Sequence, residues 1–426
     1  LGIAAALTGM LGVEAAPAGS CDRVMVAVLS GAQEVPPNNS TALGAATIVV
    51  DTVANEAKIY VVFAGLSSAE AGAHIHGPAN PGENAGVKLG LPPGNPKVVT
   101  WNYSESDEPD LLGGRMYINI HSNAFPAGEI RGQIVTHHAE LDGQQEVPPN
   151  NSGARGWGVF TINTGRNTLS YYIAYSGLSS PETGAHIHGM AMYGANAGVL
   201  HPLPSGSPKI GVWNYAEADE ERILRGMTYV NIHSENFGGG EIRGQIVPIV
   251  VPIDGTQEVP PVDSPAAGVG LFAIDTVADT LGWDMRHKAL VDEQAAHIHG
   301  FAGRGQNAGV LVHLPIGERK LGTWIYSANQ EQNILNGLTY VNMHTLRHGG
   351  GEIRGQIEFA ALPSCPGDVN GDGRIDQGDL AELLGAYGTR AGETEFFRVC
   401  ADFNGDGQVE LSDLATLLGV FNTDCP

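Results

Sequence analysis

The chain has 426 residues, of which 16% are charged and 59 are glycine, and its net charge is −24. That length allows several domains. The low charge and abundant glycine favour strands and tight turns over long solvated helices. The acidic balance argues against nucleic acid as a partner and favours hard cations.

Residues Leu1 to Val13 are apolar and uncharged, and small residues fill Glu14–Ser20. The run is too short to span a bilayer. It reads as the apolar region and cleavage zone of a secretory signal peptide, so residues 1–20 are expected to take no part in the fold. No other stretch is apolar enough to span a membrane. Export implies an oxidising compartment. The four cysteines, Cys21, Cys365, Cys400 and Cys425, allow three full pairings. A disulfide of Cys365 or Cys400 with Cys425 is expected in the tail.

Gly-x-Gln-Glu-Val-Pro-Pro starts at Gly31, Gly143 and Gly255, a period of 112 residues. A period of that length repeats a whole domain, not a solenoid turn. The units run over 22–137, 138–248 and 249–361, and a different segment follows at 365–426. Their joints are short, as in Ile246–Ile253, which implies units in contact with limited freedom. Within a unit the hydrophobic period is two. Thr47–Val50, Ala57–Phe63, Arg115–Ile120 and Glu129–Val135 read as strands, as do Thr168–Tyr175 and Leu224–Ile232. A single helical turn is expected near Ser106–Leu112 and Asp219–Leu224. Trp101, Trp213 and Trp324, with Tyr103, Tyr215 and Tyr326 two residues on, read as core or sheet-face residues. These features predict a mostly β protein of three tandem antiparallel Greek-key β-sandwich domains.

Each unit then carries His-Ile-His-Gly (His74–Gly77, His186–Gly189, His297–Gly300) and Asn-x-His (Asn119–His121, Asn231–His233, Asn342–His344). Gly-Glu-Ile-Arg-Gly-Gln-Ile follows (Gly128–Ile134, Gly240–Ile246, Gly351–Ile357). On a strand, residues i and i+2 share a face. His74 and His76 therefore project together, with Ile75 turned to the core. If the later strand lies close, His121 joins them. Three neutral nitrogens suit copper or zinc and leave one position open. The equivalent sets are His186, His188, His233 and His297, His299, His344. Asn119, Asn231 and Asn342 are candidates to fix the ring tautomers. The other reading is that His-x-His only hydrogen-bonds loop backbone. Repetition favours the metal, because neighbouring residues drift: Tyr60–Ala64 is YVVFA where Asp284–Lys288 is DMRHK. Among the histidines that do not recur, His201 and His313 are candidate accessory ligands, where the first unit has a place near Leu89.

Together with Asn-Ala-Gly-Val (Asn84–Val87, Asn196–Val199, Asn307–Val310), these motifs resemble the CHRD domain, the module named after chordin, over nearly all of residues 22–361. The resemblance implies a secreted β-sandwich module, often in tandem, which in chordin-like proteins accompanies growth-factor binding. A second resemblance is to copper/zinc superoxide dismutase. It implies His74, His76 and His121 as copper ligands and Arg131 as an anion-guiding arginine, with Arg243 and Arg354 its counterparts. An ion pair with Glu129 is the alternative role for Arg131. The chain departs from that enzyme in having no consistent bridging histidine and no zinc-loop set of His, His and Asp. Its acidic charge gives no general attraction for superoxide.

From Pro363 onward there are 12 acids against 3 bases. Asp368, Asn370, Asp372, Arg374 (through its carbonyl), Asp376 and Asp379 have the spacing of an EF-hand-type calcium loop, with Gly373 at the sharp turn. Asp402, Asn404, Asp406, Gln408, Glu410 and Asp413 repeat it. Leu380, Leu383 and Leu384, and Leu414, Leu417 and Leu418, are spaced for the apolar face of a following helix. With Asp at position twelve and one helix per loop, the segment resembles a type I dockerin, a small α-helical domain. That implies calcium-dependent folding and docking onto a cohesin. The pairs Gln377-Gly378 and Leu411-Ser412 depart from the usual Ser-Thr type, so a cell-surface protein is an alternative partner.

These readings point to a secreted, non-catalytic surface or matrix protein with a calcium-dependent attachment tail, with self-association of the units as a further expectation. The alternatives are a copper-dependent redox enzyme and a non-catalytic component of a polysaccharide-degrading assembly. No paired carboxylates recur across the units, which argues against glycosidase chemistry, and there is no Ser-His-Asp signature.

Overall fold

The computed structural model describes residues 23–52, 54–359, 367, 369, 374–390, 401–403 and 408–424. The first unit comprises β1 (Arg23–Ser30), β2 (Leu43–Asp51), β3 (Glu56–Ala64), β4 (Glu70–His76), β5 (Val87–Gly90), β6 (Lys97–Asn102), α1 (Glu108–Leu112), β7 (Met116–Ser122) and β8 (Ile130–Ile134). The second comprises β9 (His137–Asp142), β10 (Arg155–Asn163), β11 (Thr168–Ser176), β12 (Glu182–Gly189), β13 (Val199–Pro202), β14 (Lys209–Asn214), α2 (Glu220–Leu224), β15 (Thr228–Ser234) and β16 (Ile242–Ile246). The third comprises β17 (Ile249–Asp254), β18 (Ala267–Asp275), β19 (Thr280–Lys288), β20 (Glu293–Gly300), β21 (Val310–Leu314), β22 (Arg319–Ile325), α3 (Ala328–Leu335), β23 (Thr339–Thr345) and β24 (Ile353–Ile357).

Each unit is an eight-stranded antiparallel, barrel-like sheet in the order β5-β4-β7-β8-β1-β2-β3-β6, repeated in the other two units. The period-two pattern explains the strands. In β3, Ala57, Ile59, Val61 and Phe63 are buried while Lys58 is exposed. Ile75, between the two histidines, is fully buried, as are Ile187 and Ile298. Burying such a side chain stabilises by roughly 1.5–3 kcal/mol, so the core anchors β4 at the residue that sets the histidines' direction. The expected helical turns are present as α1 and α2.

The sheet folds at the seam between β8 and β1, where Ser30 opposite Arg131 is the ladder pair between the two strands. Gln33 fills this seam. Its Nε2 donates to the Val28 carbonyl at 2.6 Å, and its Oε1 accepts from the Gln133 amide at 3.2 Å. A side-chain amide thus substitutes for a missing peptide pairing. Gln145 and Gln257 do the same in the other units. Gly132 permits the close approach, since a Cβ there would sit 2.7 Å from the Val28 oxygen.

The units do more than touch. One apolar cluster draws on Val26, Val28 and Val62 of the first unit, Met192, Tyr193 and Val247 of the second, and Val250, Val269 and Leu271 of the third. Val135 of the first unit packs with Trp157 and Val159 of the second. Tyr60 of the first donates to Asp254 of the third at 2.7 Å. Arg286 and Arg319 of the third meet Asp142 of the second at 3.0 and 2.8 Å. Every unit therefore contacts both others.

In the tail, α4 (Gln377–Ala386) and α5 (Leu411–Gly419) are described. Leu383 and Leu417 are fully buried, and Leu380 and Leu414 pack beside them. Leu384 and Leu418 are about half exposed, at 53% and 52%. The apolar face is therefore narrower than the leucine spacing predicts. Among the described residues no helix is long and apolar enough to cross a membrane. The apolar start of the chain and the four cysteines lie outside the described residues.

Candidate metal centre

Strand pairing brings the histidines together. β4 and β7 are neighbours, with His74 opposite Asn119, His76 opposite Tyr117, and Gly72 opposite His121. The pairing of β4 with β5 shifts between Ile75 and His76, and the same irregularity recurs before His188 and His299. Such bulges re-aim side chains beside functional sites. In each unit one nitrogen from each of the three histidines lies within 4.8 Å of the others.

Backbone carbonyls set the tautomers. His76 Nδ1 lies 3.0 Å from the Ala85 carbonyl, and His121 Nδ1 lies 3.1 Å from that of Pro126. A carbonyl can only accept, so both rings carry their proton on Nδ1 and turn an Nε2 lone pair inward. His121 Nε2 faces His74 Nδ1 at 3.3 Å. His76 Nε2 is buried without a hydrogen-bond partner. The second unit has the same contacts at 3.0, 3.1 and 3.3 Å, and the third at 2.9, 3.1 and 3.1 Å. His188 Nε2 and His299 Nε2 are likewise without partners.

Burial holds His76, His188 and His299 below the usual imidazole range, with neighbouring imidazoles adding to the effect. Burial pushes His297 down to about 4, helped by His344, His299 and His313. Those four rings are thus held in the neutral form that a metal requires. A buried lone pair with no donor is costly. A cation where the three nitrogens converge would satisfy it, so each triad could hold a metal ion.

The recurring motifs build the surroundings of these rings. His76 stacks on Tyr117, with ring centroids 5.0 Å apart. The Arg131 guanidinium lies 3.5 Å from the same ring's centre. Because β4 and β8 flank β7, the imidazole and the guanidinium cover opposite faces of Tyr117. Arg131 is 1% exposed and donates to the Glu83 carbonyl, Asn84 Oδ1 and Gln133 Oε1. It therefore braces the loop that carries Ala85 and is closed to an anion from solvent. It does not pair with Glu129, whose carboxylate instead accepts from Ser40 and Ser67. Arg243 and Arg354 are equally buried over Tyr229 and Tyr340.

Asn119 reaches no imidazole. Its Nδ2 donates to Glu34 Oε2 at 3.2 Å, and Asn231 and Asn342 pair with Glu146 and Glu258 in the same way. Gly128, at φ 135°, makes room for this pair, since a Cβ there would lie 2.7 Å from Asn119 Oδ1 and from both Glu34 oxygens. Asn84 ties the same loop to the Val35 carbonyl. The residues that sequence reasoning passed over are Glu34, Tyr117, Gln133 and the carbonyls of Ala85 and Pro126. The recurrence of Gln-Glu-Val-Pro-Pro and Asn-Ala-Gly-Val was the available signal for Glu34 and Ala85, and that of Gly-Glu-Ile-Arg-Gly-Gln-Ile for Gln133.

The two accessory histidines part company. His313 lies opposite His297, with ring centroids 4.8 Å apart. His201 lies opposite Ile187 and stacks on Trp213. In the tail, Asp379 and Asp413 are fully buried near the starts of α4 and α5. Asp379 Oδ2 accepts from the Asp376 amide, and Asp413 from the amides of Phe403 and Glu410, each at 2.8 Å. Asp376, Asp402, Gln408 and Glu410 are described, as is the backbone of Arg374. Asp368, Asn370, Asp372, Asn404 and Asp406 lie outside the described residues.

Fold and site together define an array of tandem β modules, each with an imidazole cluster held by the same motif network. The chain belongs to the CHRD domain family, which matches it at residues 25–134, 137–246 and 249–357. The Dockerin type I domain matches residues 366–421. The chain is 25% identical over 290 residues to Chordin of Xenopus laevis, covering 58% of this chain and 30% of that protein.

Proposed function

We propose that the chain is an extracellular, non-catalytic binding and assembly protein in which each CHRD unit holds one copper or zinc ion and the tail attaches the array to a partner. The observation that carries the metal reading is the convergence of three imidazole nitrogens in every unit, one of them a buried Nε2 without a partner. The strand order supports a superoxide-dismutase-like Greek-key sandwich as the scaffold. The dockerin match supports a calcium-dependent tail and a cohesin-type partner. Asp376, Asp379, Asp402, Gln408, Glu410 and Asp413, with the loop residues before them, are its calcium ligands.

Elemental analysis of the metal-equilibrated chain tests this reading. About three copper or zinc ions and about two calcium ions per chain are expected from the donor sets. A chain that takes up calcium only would sink the histidine sites. Pull-down of a cohesin with and without chelator tests attachment. A copper redox activity is the second reading, favoured by triads that are mostly half-buried and so open to solvent. Dismutase and oxidase assays on the copper-loaded chain decide it.

A further inference from the structure

We propose that the three sites are not equivalent: the third unit holds its metal with four imidazoles, His313 being the fourth, whereas the first two units use three and keep a position open. This rests on the metal reading above. His313 stands directly opposite His297 across β20 and β21. Residues so paired point to the same face with Cβ atoms about 4.5–5.5 Å apart. The two ring centroids are 4.8 Å apart, closer than the 4.9, 5.4 and 5.8 Å within the triad itself. His313 is exposed and stands just outside the tight cluster. Rotation about its two side-chain torsions brings a ring nitrogen in.

The other units have nothing comparable. Gly90 lies opposite His74 and Pro202 opposite His186. His201 is no substitute, although it is close in sequence. Gly198-Val199-Leu200 aligns with Gly309-Val310-Leu311, but the histidine follows directly in the second unit and one residue later in the third. On a strand that single step reverses the face. His201 is therefore turned onto Trp213, 5.9 Å away and nearly parallel to it, and His313 onto the metal face. A fourth nitrogen closes the coordination shell and adds a bond, as in structural zinc sites, whereas three nitrogens leave room for water or a small ligand.

Zinc alone, titrated into the stripped full-length chain against a chromophoric chelator, tests this. One site is expected to bind at least about tenfold more tightly than the other two, a difference of roughly 1.4 kcal/mol. His313→Ala, and H313G to match the first unit's Gly90, should remove that tight class while the total stays at three. H201A should change nothing. Three equal sites in the unaltered chain, or a tight class that survives both His313 variants, overturns the proposal and leaves the parent reading standing. A chain that binds zinc nowhere fails at the parent reading instead.

Discussion

The histidine faces of the three units are nearly superimposable in their contacts, while the faces by which the units meet are not. Around the imidazoles the corresponding hydrogen bonds agree within 0.2 Å, and each guanidinium lies 3.5 Å from its tyrosine ring centre. At the junctions, corresponding positions solve different problems. Tyr60 bonds to Asp254 of the third unit, whereas Asp284, in the equivalent place, joins Arg286 and Arg319 in a cluster with Asp142 of the second. A junction can drift because a change on one side can be answered on the other. A ring nitrogen aimed at one point has no such freedom.

The comparison breaks most sharply if the two faces are altered separately. Changing His76, His188 and His299 together to alanine should abolish copper and zinc uptake while leaving the far-ultraviolet circular dichroism spectrum unchanged. Residual metal at full stoichiometry would show that other groups hold it. The opposite experiment is Asp142→Ala. It leaves Arg286 and Arg319 without one carboxylate and removes the cap that accepts from the amides of Gln144 and Gln145. The pairs are part-buried and both arginines keep Asp284, so losing the charged hydrogen bonds and the cap should cost about 2–4 kcal/mol. Chemical denaturation should show that loss, with metal stoichiometry intact. Unchanged stability would mean that the units fold without the junction.

Most of the fold and the clustering of the imidazoles are legible in the sequence, because both rest on local periodicity. His-x-His on a strand must share a face, and Ile75 between must face the core. The roles of Asn119 and Arg131 are not legible in that way. They depend on which loop covers them, and that is a tertiary fact: Glu34 and Asn84 arrive from 85 and 47 residues away. The face of His313 is legible only once the register of β21 is known. The junctions are least legible of all. Period-two alternation marks which residues point outward but not that another unit covers them.

Gln145→Leu sharpens the comparison on a smaller scale. It leaves the Glu140 carbonyl and the Gln245 amide unpaired at the seam of the second unit. An unsatisfied buried group costs about 1–3 kcal/mol. The loss should appear in unfolding free energy, with metal uptake by the other two units unaffected. A neutral result would mean that the seam closes by itself.

The smallest effect concerns Glu34, Glu146 and Glu258. Burial pushes each carboxyl up to about 7, against the pull of Arg131, Arg243 or Arg354 and of its asparagine partner. A folded-state value raised above the unfolded one means that the folded chain holds the proton more tightly. The associated stability is full below about 4.5 and is lost as pH rises through about 7. Geometry agrees, since Glu34 Oε1 and Asn119 Oδ1 are both buried without partners. A protonated carboxyl can donate to that oxygen while its other oxygen accepts from Asn119 Nδ2. Glutamine offers the same donor at every pH. Replacing all three glutamates by glutamine should therefore raise the unfolding free energy at pH 8 by about 1 kcal/mol per unit and leave it nearly unchanged at pH 5. An equal shift at both pH values would show that the carboxyls are ionised in the folded chain, leaving each asparagine oxygen beside a charge.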